Sequence, residues 1–142
     1  KDYFFMSREQ FQAMCNNGQL LEHAEYAGNF YGTPRGPVEE KLLSGFDVIM
    51  DIDVQGARQV KEKMPEAVLI FVAPPSMEEL EVRLRGRSTE SEEKVLRRLE
   101  AAKVELNMST MYDKVIVNDE VSKAADELLD IMDNSHRLND QL

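Results

Sequence analysis

Cysteine is nearly missing from this chain: Cys15 is the single thiol among 142 residues, and tryptophan is absent altogether. One thiol cannot close an intrachain disulfide, and with only His23 and His136 beside it no structural zinc cluster can be assembled. A secreted disulfide scaffold and a zinc fold are both excluded, and a reducing compartment fits. Positive charge is also short. Seventeen Lys and Arg stand against 27 Asp and Glu, a formal net charge of −10, the wrong sign for neutralising phosphates along a nucleic acid polymer or for settling on a membrane surface. Long apolar runs are lacking too, since none approaches the roughly 20 residues that span a bilayer. The opening Lys1-Asp2-Tyr3-Phe4-Phe5 lacks the basic-then-apolar layout of a signal peptide. Proline and glycine, five and seven in number, gather into no linker, and neither a repeat nor a low-complexity tract is present. What remains is a chain of the length of one globular domain, able to bury a core without staples, and expected to be cytoplasmic.

The hydrophobic period changes character near Gly45, which suggests two lobes. In the first, Ser7 with Gln10 reads as a capping box, Phe11, Met14 and Cys15 share a helical face, and Gly18 supplies the stop of a helix over 7–18. Tyr3 to Phe5 and Leu20 to Tyr31, broken at Gly28-Asn29, read as short strands and turns. Pro37 is expected to open a helix carrying Val38 and Leu42 and closed by Gly45. Three apolar runs follow, Phe46 to Ile52, Ala67 to Ala73 and Val115 to Val117, each succeeded by a helical pattern. The helical stripes are Val54, Ala57 and Val60 before Pro65; Leu80 and Leu84 after a Ser76–Glu79 cap; Val95, Leu99, Ala102 and Leu106 after a Thr89–Glu92 cap; and Val121, Ala125, Leu128 and Met132. Strand–helix alternation of this kind predicts an α/β fold with a parallel sheet flanked by helices.

Ligands of such sheets bind beyond the carboxyl ends of the strands. Here the first run ends in Asp51-Ile52-Asp53 and the last in Asn118-Asp119. An apolar strand followed by aspartate is the layout that orients Mg²⁺ beside nucleotide phosphates, although Asp53 equally suits a helix N-cap. Arg83, Arg85 and Arg87 close one helix and Arg97 and Arg98 lie on the next, so guanidinium groups from two helices can converge on a polyphosphate as a lid. For Arg85 and Arg97 the plainer expectation is pairing with neighbouring glutamates or a helix C-terminus.

Seven short segments, in order, resemble guanylate kinases. They are Lys1-Asp2-Tyr3-Phe4-Phe5, Gly28-Asn29-Phe30-Tyr31-Gly32-Thr33, Asp51-Ile52-Asp53-Val54-Gln55-Gly56, Phe71-Val72-Ala73-Pro74-Pro75-Ser76, Arg83-Leu84-Arg85-Gly86-Arg87, Arg98-Leu99 and Val115-Ile116-Val117-Asn118-Asp119. The resemblance implies a P-loop NTPase-like fold, with a GMP-binding lobe over 1–39 and a core over 40–142 that includes an arginine-bearing lid at about 86–98. It implies transfer of the γ-phosphoryl group of ATP to GMP, with Mg²⁺ accompanying ATP and no direct protein ligand to the metal. The substrates GMP and ATP are the expected partners, and self-association into a homo-oligomer is left open. Glu22 is implied as the reader of guanine, because one carboxylate can accept from both N1–H and the 2-amino group, whereas adenine would leave that anion unpaired. Thr33 is implied at the guanine O6 edge, Tyr3 and Tyr31 at the GMP phosphate, and Asp53 facing the GMP site. Asp51 is implied beside phosphates or metal-bound water, and the sequence does not divide its role from that of Asp53. Arg87 and Arg98 are implied as phosphate clamps, with Arg83, Arg87 and Asn118 on the ATP side. Ser88 stands where the family often has glycine.

The phosphate-cradling G-x-x-x-x-G-K-[ST] motif is not found in these residues. The expectation is that a segment carrying it precedes Lys1 in the parent protein, and that this polypeptide alone turns over negligibly. Without the strand that accompanies such a motif, the parallel sheet would carry an unpaired position. The competing expectation is a non-catalytic, guanylate-kinase-like module that binds peptides in the former GMP lobe; retention of Glu22, Asp51, Asp53, Arg87 and Arg98 favours the enzyme. A kinase for another nucleoside monophosphate is the third alternative.

Overall fold

The computed structural model describes residues 6–86 and 91–140, with side chains as far as Ser135. Tyr3, Phe4, Phe5, Arg87, Ser88 and Thr89 therefore lie outside the described residues, as does the side chain of His136. The chain divides into two compact units, one ending at Ala67 and the other beginning at Val68.

The first unit opens with helix α1, Arg8–Asn16, and its capping box is complete. The Gln10 amide donates to Ser7 Oγ at 3.1 Å and the Ser7 amide to Gln10 Oε1 at 2.9 Å, a cap of about 1 kcal/mol. Phe11 is the buried residue of α1 and packs its ring against Phe30 and His23. Strands β1, Leu20–Tyr26, and β2, Asn29–Pro34, then form an antiparallel hairpin. Its turn residues Ala27 and Gly28 have φ of 51° and 80°, the pair of positive angles that lets a two-residue turn follow the right-handed twist of its strands. The register slips between Leu20 and Glu22. That bulge explains why two successive side chains, Leu20 and Leu21, are both buried, at 2% and 0% exposure, where strict alternation would turn one outward.

Helix α2, Arg35–Leu43, begins two residues before the expected Pro37. Proline is tolerated there because the first-turn amides have no intrahelical acceptor to lose. A second expectation fails over 46–52, which joins no sheet among the described residues. A continuous apolar run signals a strand only where neighbours supply ladder hydrogen bonds, and here Phe46 and Ile49 stand 58% and 65% exposed. Helix α3, Val54–Lys63, follows directly, capped by Asp53 and burying Val54, Ala57 and Val60 as expected.

The second unit is built on strands β3, Ile70–Ala73, and β4, Lys114–Val117, paired in parallel with Phe71 beside Val115. Parallel partners require a crossover, and helices α4, Met77–Gly86, and α5, Glu92–Asn107, lie within it. Ser76 Oγ caps α4 by accepting from the Glu79 amide at 3.0 Å. Helix α5 is capped by Ser91, through the Lys94 amide at 3.4 Å. Leu69, Phe71, Ala73, Val95, Leu99 and Ile116 form the buried core. The Asp113 carboxylate accepts from the Leu69 amide at 2.7 Å and so ties the starts of the two strands together. Helix α6, Val121–Asp140, packs on β4 through a stripe shifted from the expected one. Leu128 and Met132 of that expected stripe are half-buried, together with Ala124, Ile131 and Ser135, whereas Val121 and Ala125 are exposed; spacing of four, three and four residues from Ala124 keeps one face toward the strand. Among the described residues no helix is long and apolar enough to cross a membrane.

Candidate functional site

Within the first unit, the hairpin sets Glu22 directly opposite Thr33. The bulge just before Glu22 fixes the face on which its side chain emerges. The Thr33 hydroxyl donates to Glu22 Oε1 at 2.7 Å, in a half-buried setting, so one carboxylate oxygen is already held before any ligand arrives. A hydroxyl carries one hydrogen; spent on Glu22, it is not simultaneously offered to a guanine O6.

The start of α3 brings in the second acid. Asp53 Oδ1 accepts the Gly56 amide at 2.8 Å as the helix N-cap, leaving Oδ2 as the acceptor not used by the cap. Gly56 is buried, and its missing side chain is what lets the two acids approach: a Cβ there would lie 3.3 Å from Glu22 Oε2, 3.3 Å from Asp53 Oδ1 and 3.3 Å from Ile52 Cβ. Glu22, Thr33 and Asp53, named from the sequence, are thus brought to one place. Two carboxylates meeting at that point make a site suited to a ligand rich in N–H donors. Tyr31 lies two residues from Thr33 along β2, on the same face, 45% exposed. Asp51 is exposed in the stretch leading to α3. Tyr3 is outside the described residues.

In the second unit, Arg83 spans from α4 to the carboxyl end of β4. Its Nη1 donates to the Asn118 carbonyl at 2.9 Å, its Nη2 to the Asp119 carbonyl at 3.2 Å, and its Nε to Glu79 Oε1 at 3.3 Å. The Asn118 amide in turn donates to the Ala73 carbonyl at 2.8 Å, so Arg83 braces the loop that presents the Asn118 side chain. Arg98 is exposed on α5, and Arg87 lies outside the described residues. Arg85 and Arg97 behave as surface pairing suggests. Arg97 meets Glu93 one turn away, while Arg85 meets Glu81 at 3.0 Å and reaches Glu92 at the start of α5 with both terminal nitrogens, one at 2.8 Å. The hydrogen bond from Arg85 holds the Glu92 carboxyl below the usual carboxylate range, and Glu92 and Glu81 together raise the Arg85 guanidinium further.

Two participants were not foreseen from the sequence, Gly56 and Gln59. For Gly56 a signal existed: glycine inside a helix costs about 1 kcal/mol relative to alanine and therefore invites a reason. Gln59 carried none.

Parallel strands joined through helices, with polar residues at their carboxyl ends, place the chain among the open α/β folds whose ligands bind beyond those ends. Sequence comparison gives the particular group. The chain belongs to the guanylate kinase family, whose profile, described as guanylate kinase, matches residues 1–135. It is 52% identical over 136 residues to a guanylate kinase of Streptococcus thermophilus (strain CNRZ 1066), covering 96% of this chain and 65% of that relative. It is 54% identical over 126 residues to one from Synechococcus sp. (strain CC9311), covering 89% and 66%. The crystal structure of guanylate kinase from Anaplasma phagocytophilum matches with a TM-score of 0.70 and 41% identity, over 94% of this chain and 65% of that one. The chain spans about two thirds of the length of the relatives it matches.

Proposed function

We infer that this chain supplies the GMP-binding lobe, residues 1–39, and much of the core, residues 40–142, of an ATP:GMP phosphotransferase. The observation that carries the reading is the meeting of Glu22 and Asp53 at the side-chain-free surface of Gly56, with Thr33 fixing one oxygen of Glu22. Guanine presents two adjacent donors, N1–H and the 2-amino group, and Glu22 accepts them; Asp53 Oδ2 extends the acceptor surface toward the same base. Adenine has an acceptor at N1 and no 2-amino group, so it would leave Glu22 desolvated and unpaired. Thr33 acts chiefly by holding Glu22, and reaches the O6 edge only by turning its hydroxyl away from that carboxylate. Tyr31, with Tyr3, donates to the GMP phosphate.

In the transfer, an oxygen of the GMP phosphate attacks the γ-phosphorus of ATP, and the bond from that phosphorus to the bridging oxygen breaks, giving GDP and ADP. The accepting phosphate is already anionic, so no general base is required; the protein contributes alignment and charge compensation. Arg87 and Arg98 serve as phosphate clamps, with Asn118 on the adenine side. Arg83 acts there through the loop it braces. Mg²⁺, when bound with ATP, would supply charge neutralisation for the transferring phosphates. The exposed carboxylate of Asp51 suits it as a contact to water on the ion, since Mg²⁺ dehydrates reluctantly and keeps several waters. Among the described residues no group of three or more His, Cys, Asp or Glu converges as a protein-built cage.

Calorimetric titration with GMP and AMP tests the reading. The expected outcome is a GMP response with AMP bound far more weakly. A phosphopeptide response without a GMP response would instead establish the peptide-binding alternative.

A further inference from the structure

The geometry points to Gln59 as the residue that sets the aim of Glu22, and hence as a positioning residue for guanine selection. The inference rests on the reading of Glu22 given above and adds how that carboxylate is held. The bulge between Leu20 and Glu22 interrupts the β1–β2 ladder beside the residue that must be placed most accurately. Helix α3 supports the other edge of β1 there, where His23 is paired with Gly32 across the hairpin. The His23 amide donates to Gln59 Oε1 at 3.0 Å, and Gln59 Nε2 donates to the His23 carbonyl at 3.1 Å. A primary amide side chain thus pairs with the backbone of residue 23 as a neighbouring strand would, using one donor and one acceptor.

Two more contacts come from the same helical face, at three and four residues' spacing from Gln59. Lys63 Nζ donates to the Leu20 carbonyl at 2.7 Å, and Gly56 admits the Glu22 carboxylate itself, with Oε2 3.3 Å from where a Cβ would sit. The main chain is therefore pinned on both sides of Glu22, at Leu20 and at His23, by one helix whose N-cap is Asp53. Few side chains can replace Gln59. Glutamate lacks the donor, lysine lacks the acceptor, and asparagine is one methylene too short. Two-donor recognition of guanine requires both carboxylate oxygens to be aimed together, so loss of this clamp removes base selection before it removes the fold.

The test is calorimetric titration of this chain with GMP and with IMP, which lacks the 2-amino group, alongside thermal melting of each variant. The unaltered chain is expected to favour GMP, and Glu22→Gln to abolish most of that preference. Gln59→Leu and Gln59→Glu are expected to narrow the GMP-to-IMP affinity ratio by about fivefold or more, out of the roughly tenfold to hundredfold that a hydrogen bond to a charged group provides. Gly56→Ala, which crowds the carboxylate without touching the clamp, is expected to narrow it independently. Should Gln59→Leu fail to fold, the isosteric Gln59→Glu decides. If both Gln59 variants keep the full ratio while Glu22→Gln loses it, whatever their melting points, Gln59 merely covers a strand edge and the inference is overturned. If the unaltered chain shows no preference, or Glu22→Gln retains it, the assignment of Glu22 itself is wrong.

Discussion

The two units hold their polar residues in opposite ways. In the first, Gln59, Lys63 and Asp53 bond to backbone groups at fixed positions, and Arg35 adds another such bond, to the Lys63 carbonyl at 2.6 Å. In the second, Arg83 and Asp113 also reach backbone groups, but Arg85 and Arg97 of α4 and α5 pair with glutamates on the surface. Backbone anchors fix a geometry, because a hydrogen-bonded main chain cannot rearrange without losing its partners. Exposed ion pairs are worth little and are readily exchanged. The site proposed to discriminate one base from another sits where the anchors are; the helices proposed to meet phosphates carry the exchangeable pairs.

The sharpest way to separate the units is through their cores. Leu21→Ala removes a fully buried side chain from under the hairpin and is expected to cost about 2 to 5 kcal/mol. Leu99→Ala is the matching lesion in the second unit, and denaturant unfolding of the two variants compares the units directly. Next in size is Glu22→Gln, which keeps shape but offers an NH₂ group where guanine needs acceptors. GMP affinity is expected to fall roughly tenfold to hundredfold, read by calorimetry, with the melting temperature little changed. Asp53→Ala follows. Loss of the α3 cap is expected to lower stability by about 1 kcal/mol in thermal unfolding, whereas Asp53→Asn retains the cap and loses only the charge. Smallest is Glu92→Gln. Because Arg85 depresses the Glu92 carboxyl in the folded chain, the pair contributes stability above the unfolded carboxylate range and loses it as pH falls through the folded value. The variant is expected to flatten this slight acid-side dependence in melts between about pH 7 and pH 3, leaving the first unit's behaviour intact.

Local signals were legible. The capping boxes at Ser7 and the cap at Ser76 follow from residues three apart, and the inward Val95 and Leu99 from helical period. The expected cap of α5 rested on Thr89 with a glutamate three residues on. Yet Ser91 caps α5 through the Lys94 amide, for which any following residue would do. Non-local features were hidden. Apolarity over 46–52 says nothing of whether a neighbour strand is present, and the shift of the α6 stripe depends on how that helix meets β4. At the site, the resemblance carried Glu22 and Thr33, since a glutamate and a threonine in a hairpin have no pattern of their own. Gln59 was silent because its role is defined by a strand 36 residues away in sequence.

Asp53 leads to one more consequence. Its carboxylate begins a helix through Oδ1, at the same glycine surface where Glu22 Oε2 lies. Occupancy and helix initiation are therefore mechanically joined: a molecule that tugs on this acid tugs on the Gly56 amide. The magnetic resonance of that amide would act as a gauge wired into the protein, registering arrival at the acids from within the backbone and without an attached dye.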